Sequence, residues 1–171
     1  MNPFQIIIVV ESDEKSRSDY IYIKSIINEQ YNGKLENEVK VSPVFMRGKG
    51  NYKRVKGKIK DLKNKYRHIG ESFVVYCFDT DKFELNPEDN KVLCEEREYC
   101  TVNGYKFVWF CHDIEEVFIG KSVTRQDKTK TAILYSQKQG IKGINLQCLK
   151  YNTLTKGKSN LLIVLEELFN S

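Results

Sequence analysis

The unbroken apolar run Phe73-Val-Val-Tyr-Cys-Phe78 most narrows the folds open to this chain. A strand with one wet face alternates apolar and polar residues, so a run without alternation predicts a strand buried on both faces, the hallmark of a parallel sheet covered by helices. Two further segments read the same way: Phe4-Gln-Ile-Ile-Ile-Val-Val10 and Tyr105-Lys-Phe-Val-Trp-Phe-Cys111. A third, Val39 to Met46, carries Pro43 and is expected at an edge or bulge. A short strand is also expected over residues 144–151.

Amphipathic stretches separate these runs. After Glu11, Ser12 or Asp13 can cap a helix on which Tyr20, Ile23, Ile27 and Tyr31 share a face, and Asn32-Gly33 is expected to stop it. Val55, Ile59, Leu62, Tyr66 and Ile69 mark a second helix, Asn86-Pro87 opens a third that closes at Asn103-Gly104, and Ser159 or Asn160 caps a last one. Around a short helix at 114–118, Ile114, Val117 and Phe118 point inward, Glu115 lies at the boundary and Glu116 faces solvent. Residues 120–142 are polar and basic and predict a loop leading into a short helix near Thr131 to Gln139.

Alternating buried strands and amphipathic helices specify an α/β domain of three layers: a mostly parallel sheet of four to five strands with helices on both faces. The 171 residues suffice for a single domain, with a less regular C-terminal extension from about 120. No apolar run approaches the roughly 20 residues needed to cross a bilayer, and the first residues lack a signal-peptide pattern, so a cytoplasmic location is expected. Cys77, Cys94, Cys100, Cys111 and Cys148 form no C-x-x-C pair and read as buried free thiols. With only His68 and His112 besides, a metal would have oxygen ligands, which points to Mg²⁺ or Mn²⁺.

Acids cluster where the strands end. Glu11 follows the first, Asp79 and Asp81 the Phe73 strand, and Asp113 and Glu115 the last of the four. In open parallel sheets ligands bind beyond the carboxyl ends of the strands, so these carboxylates would meet at one edge and call for a cation. On an extended segment, Asp79 and Asp81 would also project to one side. Each acid could instead serve only as a helix cap or turn residue.

From Arg47 to Arg67 the chain has ten basic residues and one acid, Asp61. Arg47, Lys49, Lys53, Arg54, Lys56, Lys58 and Lys60 form the candidate nucleic-acid-binding set, because such a face attracts a polyanion beyond what solubility requires. Metal-binding carboxylates beside a basic surface suit phosphate chemistry, with a nearby glutamate as general base.

The order strand-Glu11, then strand-Asp79-Thr80-Asp81, resembles the toprim domain of topoisomerases, primases and overcoming-lysogenization-defect nucleases, and more closely the small RloB-like toprim proteins. Ser16 to Ile21 is similar to that family's T-E-x-x-Y segment, Ile114-Glu115 with Val117-Phe118 to its F-E-x-W segment, and Ser159-Asn160 to its terminal helix start. The resemblance implies a toprim-like fold and a Mg²⁺-dependent nuclease or phosphodiesterase, with defence against foreign nucleic acid as its setting. It further implies Glu11 as general base and metal ligand, Asp79 and Asp81 as metal ligands, and Glu115 as an auxiliary catalytic group. The chain departs from the family pattern at Ser12, where glycine is usual, at Arg17, where a second acid is usual, and in having no Trp after Glu115. A binding-only module for nucleic acid or a protein partner and an aspartyl-phosphate receiver domain are the competing readings; the partners expected are DNA or RNA, with a partner protein or a second copy of the chain as alternatives. The receiver ranks last, since such domains carry their acids after the first strand.

Overall fold

The computed structural model describes residues 3–35, 38–137 and 143–170. Strands β1 (Phe4–Val10), β2 (Val39–Phe45), β3 (Glu71–Asp79) and β4 (Lys106–Phe110) form one sheet in the order β2-β1-β3-β4, and every pair is parallel. All seven residues of β1 are buried, as its unbroken apolar run requires. β2, with Pro43, lies at an edge, where a missing N–H costs no ladder bond. Among the described residues the sheet therefore has four strands, and the segment expected as a fifth is instead a 3₁₀ turn, Leu146–Leu149, held by the Asn145 side chain on the Gln147 N–H.

Helices cover both faces, and the two-residue period of the strands divides the core accordingly. On one face Ile6, Ile8, Val10, Val75, Cys77, Val108 and Phe110 pack under α1 (Ser18–Leu35), α4 (Ile114–Ile119), α5 (Lys128–Gln137) and α6 (Leu161–Phe169). On the other, Ile7, Val9, Val74, Tyr76 and Phe78 pack under α2 (Lys56–Tyr66) and α3 (Pro87–Val102). Among the described residues no helix is long and apolar enough to cross a membrane.

Several helix ends differ from expectation for local reasons. Asp13 spends its carboxylate on a turn, accepting the Lys15 and Ser16 N–H groups at 2.8 Å each, and Arg17 takes a positive φ of 52°, so α1 begins only at Ser18. It then passes Asn32-Gly33, with a break at Tyr31, and ends at Leu35. Helix α2 stops at Tyr66, which leaves Ile69 58% exposed rather than on the buried stripe. Helix α5 starts at Lys128 and packs on α1; the expected helix end at Lys138 and Gln139 lies outside the described residues. Ser159 Oγ accepts the Leu161 N–H at the start of α6, whereas Asn160 turns to the free edge of β4, accepting from Trp109 N–H and donating to the Phe107 carbonyl, both at 2.9 Å. An edge strand that would otherwise present unpaired backbone is thus capped by one amide.

Gly70, just before β3, sits against the start of β1. A Cβ there would lie 1.7 Å from the Pro3 carbonyl oxygen. Gly70→Ala is expected to lower stability by about 3 kcal/mol in urea unfolding, since backbone rather than a flexible side chain must yield; a loss below about 0.5 kcal/mol would show that the β1 entry shifts freely.

Candidate functional site

The strand order places the site. From β1 the chain moves outward to β2, then returns past β1 to β3 and on to β4, so progress reverses between β1 and β3. α1 and α2 accordingly lie on opposite faces, and the strand ends at this reversal diverge into a crevice. Glu11 and Asp79 stand at those two ends. They meet directly: the Asp79 N–H donates to Glu11 Oε1 at 2.9 Å. Asp79 Oδ1 in turn accepts the Ile114 N–H at 2.9 Å, tying β3 to the start of α4.

A cleft of about 640 Å³ opens here, with Glu11, Asp19, Asp79, Arg47, Arg125 and Lys128 among its walls. Asp19 has no counterpart among the residues singled out in the sequence. Its carboxylate accepts the Ser12 N–H at 2.8 Å and the Ser18 hydroxyl at 3.0 Å, closing the loop 11–17 over the cleft. Burial pushes the Glu11 carboxyl up to about 8, Lys49 pulling it back and Asp19 and Asp81 adding to the rise. Asp79 is held well above the ordinary aspartate value by burial first, then by Glu11 and Asp19. Crowding like charges in low dielectric favours the protonated forms unless a cation enters.

Two lysines supply positive charge from within. Lys49, in the 3₁₀ turn after β2, donates to the Asp79 carbonyl oxygen at 2.6 Å and to Asp81 Oδ2 at 3.1 Å. Burial would lower its ammonium, but Glu11, Glu96 and Asp81 together hold it above the usual lysine value. Lys128 of α5 donates to Glu115 Oε2 at 2.9 Å, and Asp79 and Glu115 likewise outweigh the burial that would lower it. Glu115 is fully buried and raised by that burial, with Lys128 opposing; its Oε1 has no hydrogen-bond partner among the described residues.

Asp79 and Asp81 do not share one extended path. Asp81 has a positive φ of 51°, so its side chain leaves the Asp79 side, pairs with Lys49 and lines a second cleft with His112 and Asp113. Asp113 caps α4 by accepting the Glu116 N–H at 2.7 Å. Glu116, expected in solvent, is only 15% exposed and pairs with His112 and Lys156. The structure thus brings Glu11 and Asp79 to one crevice, keeps Glu115 buried behind the cleft-lining Lys128, and sets Asp81 behind Lys49.

Sequence periodicity gives no signal for Glu96. This α3 residue is fully buried, neither carboxylate oxygen has a hydrogen-bond partner among the described residues, and burial raises it to about 8 despite Lys49. Glu11 and Asp81 raise it further, so it belongs to the same electrostatic group.

The basic set divides. Arg47, at a positive φ of 60°, lines the cleft and bonds Glu14 at 3.3 Å; Lys58 bonds the other Glu14 oxygen at 3.1 Å. Lys53, Arg54, Lys56, Lys58 and Lys60 are exposed on α2 and the turn before it, continuous with the cleft rim through Glu14. Cys77, Cys100, Cys111 and Cys148 are buried free thiols, but Cys94 is exposed. Among the described residues, one group has mixed ligands: single atoms of Glu84, Cys111 and His112 lie within 4.8 Å of one another, a candidate metal-binding group that includes the sulfur and nitrogen not expected from the sequence. Comparison of the chain with protein-family models, with curated proteins and with solved structures found no match, so its chemistry has to be read from these residues alone.

Proposed function

We propose that the crevice between β1 and β3 hydrolyses phosphodiester bonds in nucleic acid with a divalent cation, Mg²⁺ or Mn²⁺, held by Glu11 and Asp79 and joined by Asp81 when Lys49 moves aside. The observation that carries this reading is the meeting of two half-buried acids where strand order reverses: the Asp79 backbone N–H donates to the Glu11 carboxylate, which sets both side chains on the wall of one cleft. Both resist ionisation there, and a cation is what lets such a pair carry charge. The donor atoms are all carboxylate oxygens, which fit a hard cation. When bound, the cation would polarise a phosphoryl oxygen.

The chain's own residues supply the rest. Glu11, at the end of β1 on the cleft wall, would accept a proton from an attacking water once the cation holds its carboxyl ionised. Arg47, Arg125 and Lys128 line the same walls and would hold phosphate oxygens. The exposed lysines of α2 would carry the flanking backbone without reading sequence. The test is cleavage of plasmid DNA and of RNA with Mg²⁺, Mn²⁺ or EDTA: divalent-dependent products are expected, and none with either substrate would end the hydrolase reading.

One observation favours a second reading. The Lys49 ammonium already neutralises Asp81 and sits on the Asp79 carbonyl, so the D-x-D segment has an internal cation. A module that only binds nucleic acid would then retain binding in EDTA and show no turnover. Under either reading, changing Lys53, Lys56 and Lys60 together to Glu is expected to weaken binding at least about 10-fold at low salt and to reduce the salt slope by about three. Unchanged affinity in a filter-binding titration would remove α2 from the interface.

A further inference from the structure

The second cleft, about 420 Å³, lies beyond β3 and β4, with Asp81, Asp89, His112, Asp113 and Glu116 among its lining residues. The segments behind it are already joined. Thr80 N–H donates to the Phe110 carbonyl and Asp81 N–H to the His112 carbonyl, both at 3.0 Å, and Thr80 Oγ1 accepts the His112 N–H at 2.9 Å. On an extended backbone the neighbours Cys111 and His112 would point to opposite sides. His112 instead adopts a φ of 72°, a left-handed conformation that costs a non-glycine residue on the order of 1 kcal/mol or more. The turn brings a ring nitrogen beside the buried Cys111 sulfur, and an oxygen of Glu84 joins them within 4.8 Å.

Both ring nitrogens have defined neighbours. Nδ1 lies 3.2 Å from Glu116 Oε2, and the other Glu116 oxygen is held by Lys156 at 3.1 Å. Nε2 faces Glu84, at 3.2 and 3.3 Å from its two oxygens. A carboxylate that takes the far N–H of an imidazole is the arrangement that fixes the tautomer of a metal-bound histidine, leaving the near nitrogen as a lone-pair donor. An imidazolium between two glutamates would account for the carboxylates. It would not account for a buried thiol at ligand distance or for the strained backbone that aims the ring toward it.

The geometry points to Glu84, Cys111 and His112 as ligands of one borderline transition-metal ion of the zinc class, with Glu116 orienting His112 and a fourth position open to the second cleft. Sulfur and nitrogen donors select this class over Mg²⁺. On binding, the Cys111 thiol gives up its proton to solvent, and so does Nε2 where the ring is doubly protonated. The ion would fasten the segment carrying Asp81 and Glu84 to the end of β4. This site stands whether or not the Glu11–Asp79 crevice hydrolyses anything.

Cobalt(II), added alone to the full chain after EDTA treatment and removal of the chelator, tests it. A single equivalent is expected to give an intense near-ultraviolet thiolate-to-cobalt band that Zn²⁺ bleaches. Cys111→Ser should abolish the band, and Cys94→Ser, at the exposed thiol, should leave it intact. Glu84→Gln, at a half-exposed side chain that the fold tolerates, should weaken binding at least about 10-fold, and it carries the test if the Cys111 variant does not fold. Absence of the band in the unaltered chain, its loss in Cys94→Ser instead, or unchanged affinity in Glu84→Gln would overturn the assignment.

Discussion

Asp79→Asn is expected to abolish divalent-dependent cleavage while leaving the fold intact or firmer. Asp79 Oδ1 accepts the Ile114 N–H at 2.9 Å, and an asparagine oxygen can keep that bond. The substitution therefore removes charge without orphaning a donor. Cleavage should fall about 10³-fold, the scale on which a preorganised electrostatic group acts. Stability should rise by about 1 kcal/mol, because burial first, then Glu11 and Asp19, forces this carboxyl to take up a proton on folding, a cost that asparagine does not carry. Asp79→Ala makes the comparison informative: it loses the same charge but leaves the Ile114 N–H unpaired, at a cost of about 1–3 kcal/mol. Both variants should be inactive, with thermal midpoints on opposite sides of the unaltered protein. Asparagine variant and unaltered protein cutting equally fast would take Asp79 out of the chemistry.

Stability in EDTA is expected to fall as pH rises from about 5 to 8, and Glu96→Gln should remove a large part of that fall. The Glu96 carboxyl titrates near its ordinary value of 4.5 in the unfolded chain and near 8 in the fold. Between those values the folded state holds a proton that the unfolded state has lost. Raising the pH through this window therefore favours unfolding, and the penalty is complete only above about 8. Burial is the main cause, and among the described residues both oxygens lack partners and Lys49 is the cation that offsets the desolvation of ionised Glu96. The resulting difference between pH 5 and pH 8 is on the order of 3 kcal/mol for this group. Glutamine does not titrate, so urea midpoints of the variant should vary less across the window. Glu11 and Asp79, raised in the same direction, leave a residual slope. Identical slopes in variant and unaltered protein would show that Glu96 is ionised in the fold.

These expectations rest on features of unequal visibility. The β1, β3 and β4 strands are legible because burial on both faces writes itself into consecutive residues. The ends of those strands follow, and with them Glu11 and Asp79. Helix boundaries are less legible where a side chain has two uses. Asp13 could cap a helix or close a turn, and it closes a turn; Asn160 could cap α6, and it satisfies the edge of β4 instead. Leu146–Leu149 has the apolar content of a strand, but among the described residues no strand offers it a ladder.

Side-chain partners across distant segments are the least visible. Glu115 lies on the boundary of its helix by periodicity alone, yet Lys128 of α5 makes it a buried ion pair. Asp81 leaves the path that its spacing from Asp79 predicts because its backbone turns left-handed to pair with His112. The sequence by itself determined the covered parallel sheet and the two carboxylates at its reversal, since hydrophobic period and strand ends are local properties. Tertiary structure alone decided that Lys49 stands between Asp79 and Asp81, that Asp19 and Glu96 join the same charged group, and that Glu84 reaches Cys111 and His112. These groups come from segments far apart in the chain, and the energies linking them, Coulombic and desolvation, depend on distance and burial that no spacing of residues encodes.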